Sequence, residues 1–167
     1  KKQMSFDLSI PAVALVFLLL LSAFFSGSET ALTAASRARL TELERRGNWR
    51  ASVALSLTKS RERLIGALLL GNNVVNISAS ALATAVLLKA FGDSGAIIAS
   101  VAMTVLVLIF GEVMPKTYAI AYPERVALAV APIMRVLVPV FGPVVIAVEY
   151  VVKNVLRVFG VNVSNVN

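Results

Sequence analysis

Three stretches free of any charged residue constrain this chain more than any other feature: Leu8–Ser28 is 21 residues long, Leu64–Leu88 is 25 and Ser94–Gly111 is 18. At ~1.5 Å of rise per residue, each is about long enough to cross a hydrocarbon core of ~30 Å as a helix. A secretory signal could also follow Lys1 and Lys2, but its apolar region would run only ~7–15 residues. With 58% of its 167 residues hydrophobic and 15% charged, the chain is more apolar than a water-soluble domain needs to be. The expected class is all-α integral membrane, with spans over about 8–35, 62–89 and 94–122 forming a unit of residues 1–122.

The missing residue types narrow the chemistry. The chain has no cysteine and no histidine. That removes disulfides, thiol nucleophiles, Ser-His catalysis, zinc-protease motifs and imidazole ligation together. The two aspartates, Asp7 and Asp93, sit near the outer ends of spans, so no protease or transferase constellation is visible and no enzymatic activity is expected. A bound metal would have to be held by oxygen. The formal net charge of +7 comes from residues flanking apolar spans, which points to anionic lipid headgroups and away from nucleic acid.

Eight of the sixteen basic residues fall between the first two spans: Arg37, Arg39, Arg45, Arg46, Arg50, Lys59, Arg61 and Arg63. The positive-inside rule makes this connection cytoplasmic and the N-terminus external, in a multi-pass protein of the plasma membrane. Residues 37–61 read as two amphipathic pieces broken near Gly47 and Asn48, with Leu40, Leu43 and Trp49 turned to the interface. Val126–Val148 is apolar enough to span but carries Arg135, Pro132, Pro139 and Pro143, which predicts broken, interfacial juxtamembrane helices over 123–160. The chain opens on Lys1, and 161–167 stops among valines and asparagines. The expectation is an excised membrane domain with a cytoplasmic continuation and a cytoplasmic C-terminus.

Polar residues inside the spans cluster. The first span offers Ser22, Ser26, Ser28, Glu29 and Thr30; the second Asn72, Asn73 and Asn76; the third Gly111, Glu112, Pro115 and Lys116. Ser26 lies 11 residues before Arg37, Asn73 10 after Arg63, and Glu112 12 before Glu124. At ~1.5 Å per residue all three sit roughly 15–18 Å deep and can meet at one level. Pro115 withholds the N–H that would bond the Gly111 carbonyl four residues earlier, and a cation could accept that carbonyl. An intramembrane carboxylate such as Glu112 marks an ion path by default. Its plain alternative is neutralisation by Lys116, four residues on. Carboxylate, amide, hydroxyl and carbonyl oxygens suit Mg2+, Ca2+ or Na+, with a tight octahedral site favouring Mg2+.

At these residues the sequence resembles the CNNM/CorC family of magnesium transporters. The matching motifs are SAFFSGSETAL at 22–32, GNNVVNI at 71–77 and FGEVMPKTYA at 110–119. The resemblance implies a homodimer of three-span protomers with cytoplasmic-side belt helices, a dehydrated Mg2+ held at mid-membrane, and Na+-coupled export. It implies ligation by Ser22, Ser26, a GNN asparagine with Asn73 preferred, the Glu112 carboxylate and the Gly111 carbonyl. The family continues into paired CBS domains that bind ATP. The alternative reading is an ion-stabilised regulatory or scaffold module without transport. Ser28, Thr30 and Asn76 could serve Na+ or simply hold helices together.

Overall fold

The computed structural model describes residues 2–158; residues 161–167, expected to begin a continuation, lie outside that range. The described chain is all helical. It comprises α1 (Lys2–Ala34), α2 (Arg37–Arg45), α3 (Trp49–Lys59), α4 (Arg61–Phe91), α5 (Asp93–Leu106), a π-helical segment (Val107–Val113), α6 (Met114–Ala121) and α7 (Pro123–Val158). Four helical stretches are long and apolar enough to cross a membrane: Ile10–Ala34, Arg61–Lys89, Ile97–Ala121 and Pro123–Val158.

The distribution of side chains is inverted relative to a water-soluble bundle. Ser22, Ser26 and Ser28 are buried, whereas Val13, Phe17, Leu20, Ile97, Val101 and Leu108 stand exposed. Apolar residues on the outside and small polar ones between helices are what hydrocarbon solvent selects. Threonine hydroxyls on the outer faces of the helices are satisfied locally, as Thr84 donates to the Ser80 carbonyl, Thr104 to Ser100 and Thr117 to Val113. The protein is an integral membrane protein.

Contacts fix the relative directions of the helices. Ser22 of α1 faces Gly111, and Gly27 faces Pro115 further along both elements, so α1 and the α5–α6 rod run in the same sense. Ser22 meets Asn72 while Phe25 lies on Gly71, so α4 runs opposite to α1. This is the order that two successive reversals of the chain produce.

The basic connection folds into α2 and α3 around Gly47, which adopts φ +84°, and Asn48, whose Oδ1 caps α3 by accepting from Arg50 N at 3.0 Å. Trp49 is exposed, as expected of an interfacial side chain, whereas Leu40 is buried in the protein core and does not turn to the interface. However, α3 also buries Ala51, Val53, Ala54, Leu55 and Leu57, in a cluster with Ala127, Val130, Ala131 and Met134 of α7. It is part of the core and not only a surface belt.

Residues 123–158 depart from expectation: one 36-residue helix replaces the broken pieces. Pro132, Pro139 and Pro143 each remove one helical donor, but each leaves the rest of its turn intact, so the helix persists. As α4 advances from Arg63 to Asn73, the facing residues of α7 advance from Arg135 to Lys153, with Val145 tight against Gly66.

Two apolar clusters bracket a polar level. Below it lie Phe25, Ala31, Leu32, Leu64, Leu68 and Ala119. Above it lie Ala79, Ala83 and Met103, packed by Leu15, Leu18, Leu19 and Val107. Ser22, Asn72 and Gly111 fall between them.

Candidate functional site

The polar level is a three-helix junction. Ser22 Oγ donates to Asn72 Oδ1 at 3.4 Å. Gly111 approaches so closely that a Cβ there would stand 2.7 Å from Ser22 Oγ. Only glycine permits that approach, which puts the backbone of the third span against the Ser22 hydroxyl that meets the Asn72 amide. One turn along α1, Ser26 is completely buried, and its Oγ has no hydrogen-bond partner. One turn along α4 from Asn72, Asn76 Oδ1 is likewise buried and unpartnered. Buried polar atoms are nearly always satisfied, and leaving one unmet costs about 1–3 kcal/mol. Orphan oxygens on both sides of one junction have the character of ligand atoms.

The local fold of the third span supports the same reading. Val107–Val113 is π-helical, and Met114 N donates to the Ile109 carbonyl five residues back. In that register the next carbonyl, Phe110, would require an N–H from Pro115; in the α register Gly111 would require the same one. Proline supplies neither. Pro115 thus withholds a donor from the Gly111 carbonyl in the α register and from the Phe110 carbonyl in the π register. Such π segments are frequent at functional sites.

Glu112, directly after buried Gly111, is half-buried and makes no ion pair among the described residues. Its neutralisation by Lys116 is not formed. Lys116 Nζ instead lies 3.8 Å from Glu29 Oε2, tying α6 to α1. Pro115 packs beside Gly27, and the Thr30 hydroxyl donates to the Ser26 carbonyl at 3.2 Å. Ser28 is buried with an unpartnered Oγ.

Asn73 is placed differently from its neighbour. It is exposed and lines a cleft with Leu69, Val145, Glu149 and Lys153, facing α7. Adjacent helix positions are about 100° apart, so depth counting put both asparagines at the right level but could not select the face. Phe25, which the sequence reading passed over, floors the junction: its ring lies on Gly71 and edge-on to Phe141, centroids 6.2 Å apart.

Among the described residues no three acidic side chains converge. A cation here would therefore rest mainly on neutral hydroxyl, amide and carbonyl oxygens, with Glu112 the carboxylate next to Gly111 in sequence. That donor set fits a hard cation.

Comparison with known proteins agrees with this architecture. The family model of the cyclin M transmembrane N-terminal domain matches residues 13–167. A UPF0053 protein of Haemophilus influenzae is 36% identical over 160 residues, covering 96% of this chain and 38% of the relative. The UPF0053 inner membrane protein YfjD of Escherichia coli is 40% identical over 141 residues, 84% of this chain and 33% of the relative. A Haemophilus influenzae protein named polyamine export protein is 29% identical over 163 residues, 90% of this chain and 38% of the relative. The chain thus spans 33–38% of the length of these relatives. With the family model matched over 13–167 and all three motifs in place, this chain belongs to the CNNM/CorC family as its transmembrane domain.

Proposed function

We propose that this chain is the membrane domain of a magnesium transporter that carries Mg2+ through a dehydrated mid-membrane site, with Na+-coupled export as its activity. The observation that carries the reading is the Ser22–Asn72–Gly111 junction flanked by unpartnered Ser26 Oγ and Asn76 Oδ1 and by unpaired Glu112. The proposed ligands are Ser22, Ser26, the Glu112 carboxylate, the Gly111 carbonyl and one GNN amide, for which the contact with Ser22 favours Asn72 over Asn73. Ser28, Thr30 and Asn76 are the candidates for a coupling Na+.

The proposal carries the rest of the family expectation with it. The working unit is a homodimer in the plasma membrane, with the N-terminus outside, the C-terminus cytoplasmic, and CBS-type regulatory domains following the chain. The role is passage of an ion and not turnover of a substrate.

The polyamine export relative supplies a second reading, a linear polycation in place of a metal. Several separated ammonium groups call for several anions, and the carboxylate-poor junction favours a compact ion. Mg2+ release from proteoliposomes, with and without an opposing Na+ gradient and with spermidine as the alternative cargo, distinguishes these readings. Mg2+ flux driven by inward Na+ and abolished in Glu112→Gln is expected. Equal Mg2+ rates with and without the gradient would remove the exchange; spermidine flux alone would transfer the site to polyamines. Mg2+-dependent dimer stability without flux would make the chain an ion-stabilised scaffold.

A further inference from the structure

We infer that Lys116 is a tethered counter-cation shared between two carboxylates, Glu29 and Glu112, and that Glu29 sets the cation affinity of the site by holding Lys116 away from Glu112. The inference rests on the ion-binding reading of the junction.

Lys116 is paired with Glu29 across the interface, and Glu112 lies four residues before it in sequence, in a segment where charge is costly. Lys116 lies four residues after Glu112 on the same rod, the separation at which side chains one turn apart meet. Its ammonium is nevertheless on Glu29 of α1, at 3.8 Å, with Glu29 31% and Lys116 42% exposed. Glu29 is three residues beyond Ser26, next on the stripe that already holds Ser22 and Ser26. Two carboxylates thus compete for one ammonium, and the carboxylate without it is the one beside Gly111.

An ammonium on Glu112 and a divalent cation on Glu112 exclude each other, since both neutralise the same oxygens and repel one another. Whatever keeps Lys116 elsewhere favours the cation by the same free energy that the cation exerts on Lys116. Glu29 therefore acts on the ion without touching it, as a positioning residue. When the ion leaves, the same lysine is one turn away and can neutralise the vacated carboxylate, which lowers the cost of leaving Glu112 bare in the membrane.

The test is Mg2+ titration calorimetry of the full chain in nanodiscs, with four proteins compared. Glu29→Gln frees Lys116 for Glu112 and weakens Mg2+ binding about tenfold, within the range of ordinary site coupling. Lys116→Met binds at least as tightly as the unmodified chain. The double variant, Glu29→Gln with Lys116→Met, recovers the affinity of Lys116→Met. A double variant as weak as Glu29→Gln would make Glu29 a ligand or a structural residue and overturn the inference, as would an unchanged Glu29→Gln.

A second measurement needs no Mg2+. In chelator, Glu112→Gln should lower the unfolding temperature more in the Glu29→Gln background than in the unmodified chain, because there Lys116 sits on Glu112 without competition from Glu29. Equal decrements overturn the exchange. An unmodified chain that binds no Mg2+ but shows the unequal decrements would overturn the magnesium reading and leave the lysine exchange standing.

Discussion

The Ser22 hydroxyl of α1 donates across the helix interface to Asn72 Oδ1 of α4 at 3.4 Å, and Asn73 turns to the other side of the same helix. The two asparagines are therefore unequal. Replacing Asn72 by alanine removes an oxygen from the junction and leaves the Ser22 hydroxyl without its acceptor. Replacing Asn73 trims a side chain in the cleft toward α7. Mg2+ titration should show at least a tenfold loss of affinity for Asn72→Ala, equivalent to about 1.4 kcal/mol, and less than a threefold change for Asn73→Ala. The reverse ranking would mean that α4 is rotated in the binding state and that Asn73 faces the ion.

Gly111 gives a packing test with a built-in control. A Cβ at this position would sit 2.7 Å from Ser22 Oγ and 3.3 Å from Ser22 Cβ. Overpacking of this kind typically costs 1–3 kcal/mol. Gly111→Ala should therefore lower the unfolding temperature and abolish Mg2+ binding. Adding Ser22→Ala removes the clashing oxygen, so the double variant should regain much of its thermal stability but no ion binding. Recovery of both properties would exclude the Ser22 hydroxyl as a ligand.

Much of this arrangement was legible in the sequence because two simple rules govern it. Charge-free length locates helices, and distance from flanking charges gives depth. Counting put Ser26, Asn73 and Glu112 at one level, and the residues that meet in the structure are Ser22, Asn72 and Gly111, each within one turn of those. Counting fails where the angle about a helix decides: it could not separate Asn72 from Asn73, adjacent in depth but about 100° apart. It also paired Lys116 with Glu112, because spacing within one helix is visible and a partner on another helix is not. The register between α1 and α6 would have shown it. Once Ser22 is set against Gly111 and the helices run in the same sense, Glu29 and Lys116 fall seven and five residues further along. The π-helical segment had no sequence signal beyond Pro115, since the register shift depends on how Gly111 seats against Ser22.

The course of α7 can be settled by labelling. Its 36 residues would extend about 54 Å, so length alone would allow a crossing of a ~30 Å core with its ends protruding, and the charge pattern decides. Its longest charge-free run, Val136–Val148, is 13 residues, or about 20 Å, against 18 to 25 residues for the other three stretches. That run is too short to cross, so α7, which follows α4 from Arg135 beside Arg63 to Lys153 beside Asn73, is expected to enter from the cytoplasmic leaflet without reaching the outer surface. Val158 is 85% exposed, which makes it a suitable reporter. A cysteine there, in a chain that has none of its own, should react with an impermeant maleimide in inside-out vesicles and be protected in intact cells. Labelling in intact cells would make α7 a fourth crossing and reverse the side of the C-terminus.

Arg135 is the residue that most resists a spanning role for α7, and its surroundings predict a lipid dependence. It shares a cleft of about 430 Å3 with Arg63, Ser56, Ser60, Val138 and Ile146. Neither arginine forms an ion pair among the described residues. Arg63 immediately precedes the charge-free stretch from Leu64, so the cleft lies where hydrocarbon gives way to headgroups. Two guanidiniums facing an apolar wall suit a phosphodiester headgroup, and each basic residue near an anionic surface contributes about 1 kcal/mol. Thermal unfolding in nanodiscs of phosphatidylglycerol should occur several degrees above that in phosphatidylcholine. Arg63→Gln combined with Arg135→Gln should remove most of that difference while leaving the value in phosphatidylcholine almost unchanged. Inorganic phosphate at millimolar concentration should not substitute for the lipid, because it brings no acyl chain to the wall formed by Val138 and Ile146. An equal phosphatidylglycerol effect in the double variant would assign the lipid dependence to the other arginines of the 37–61 connection.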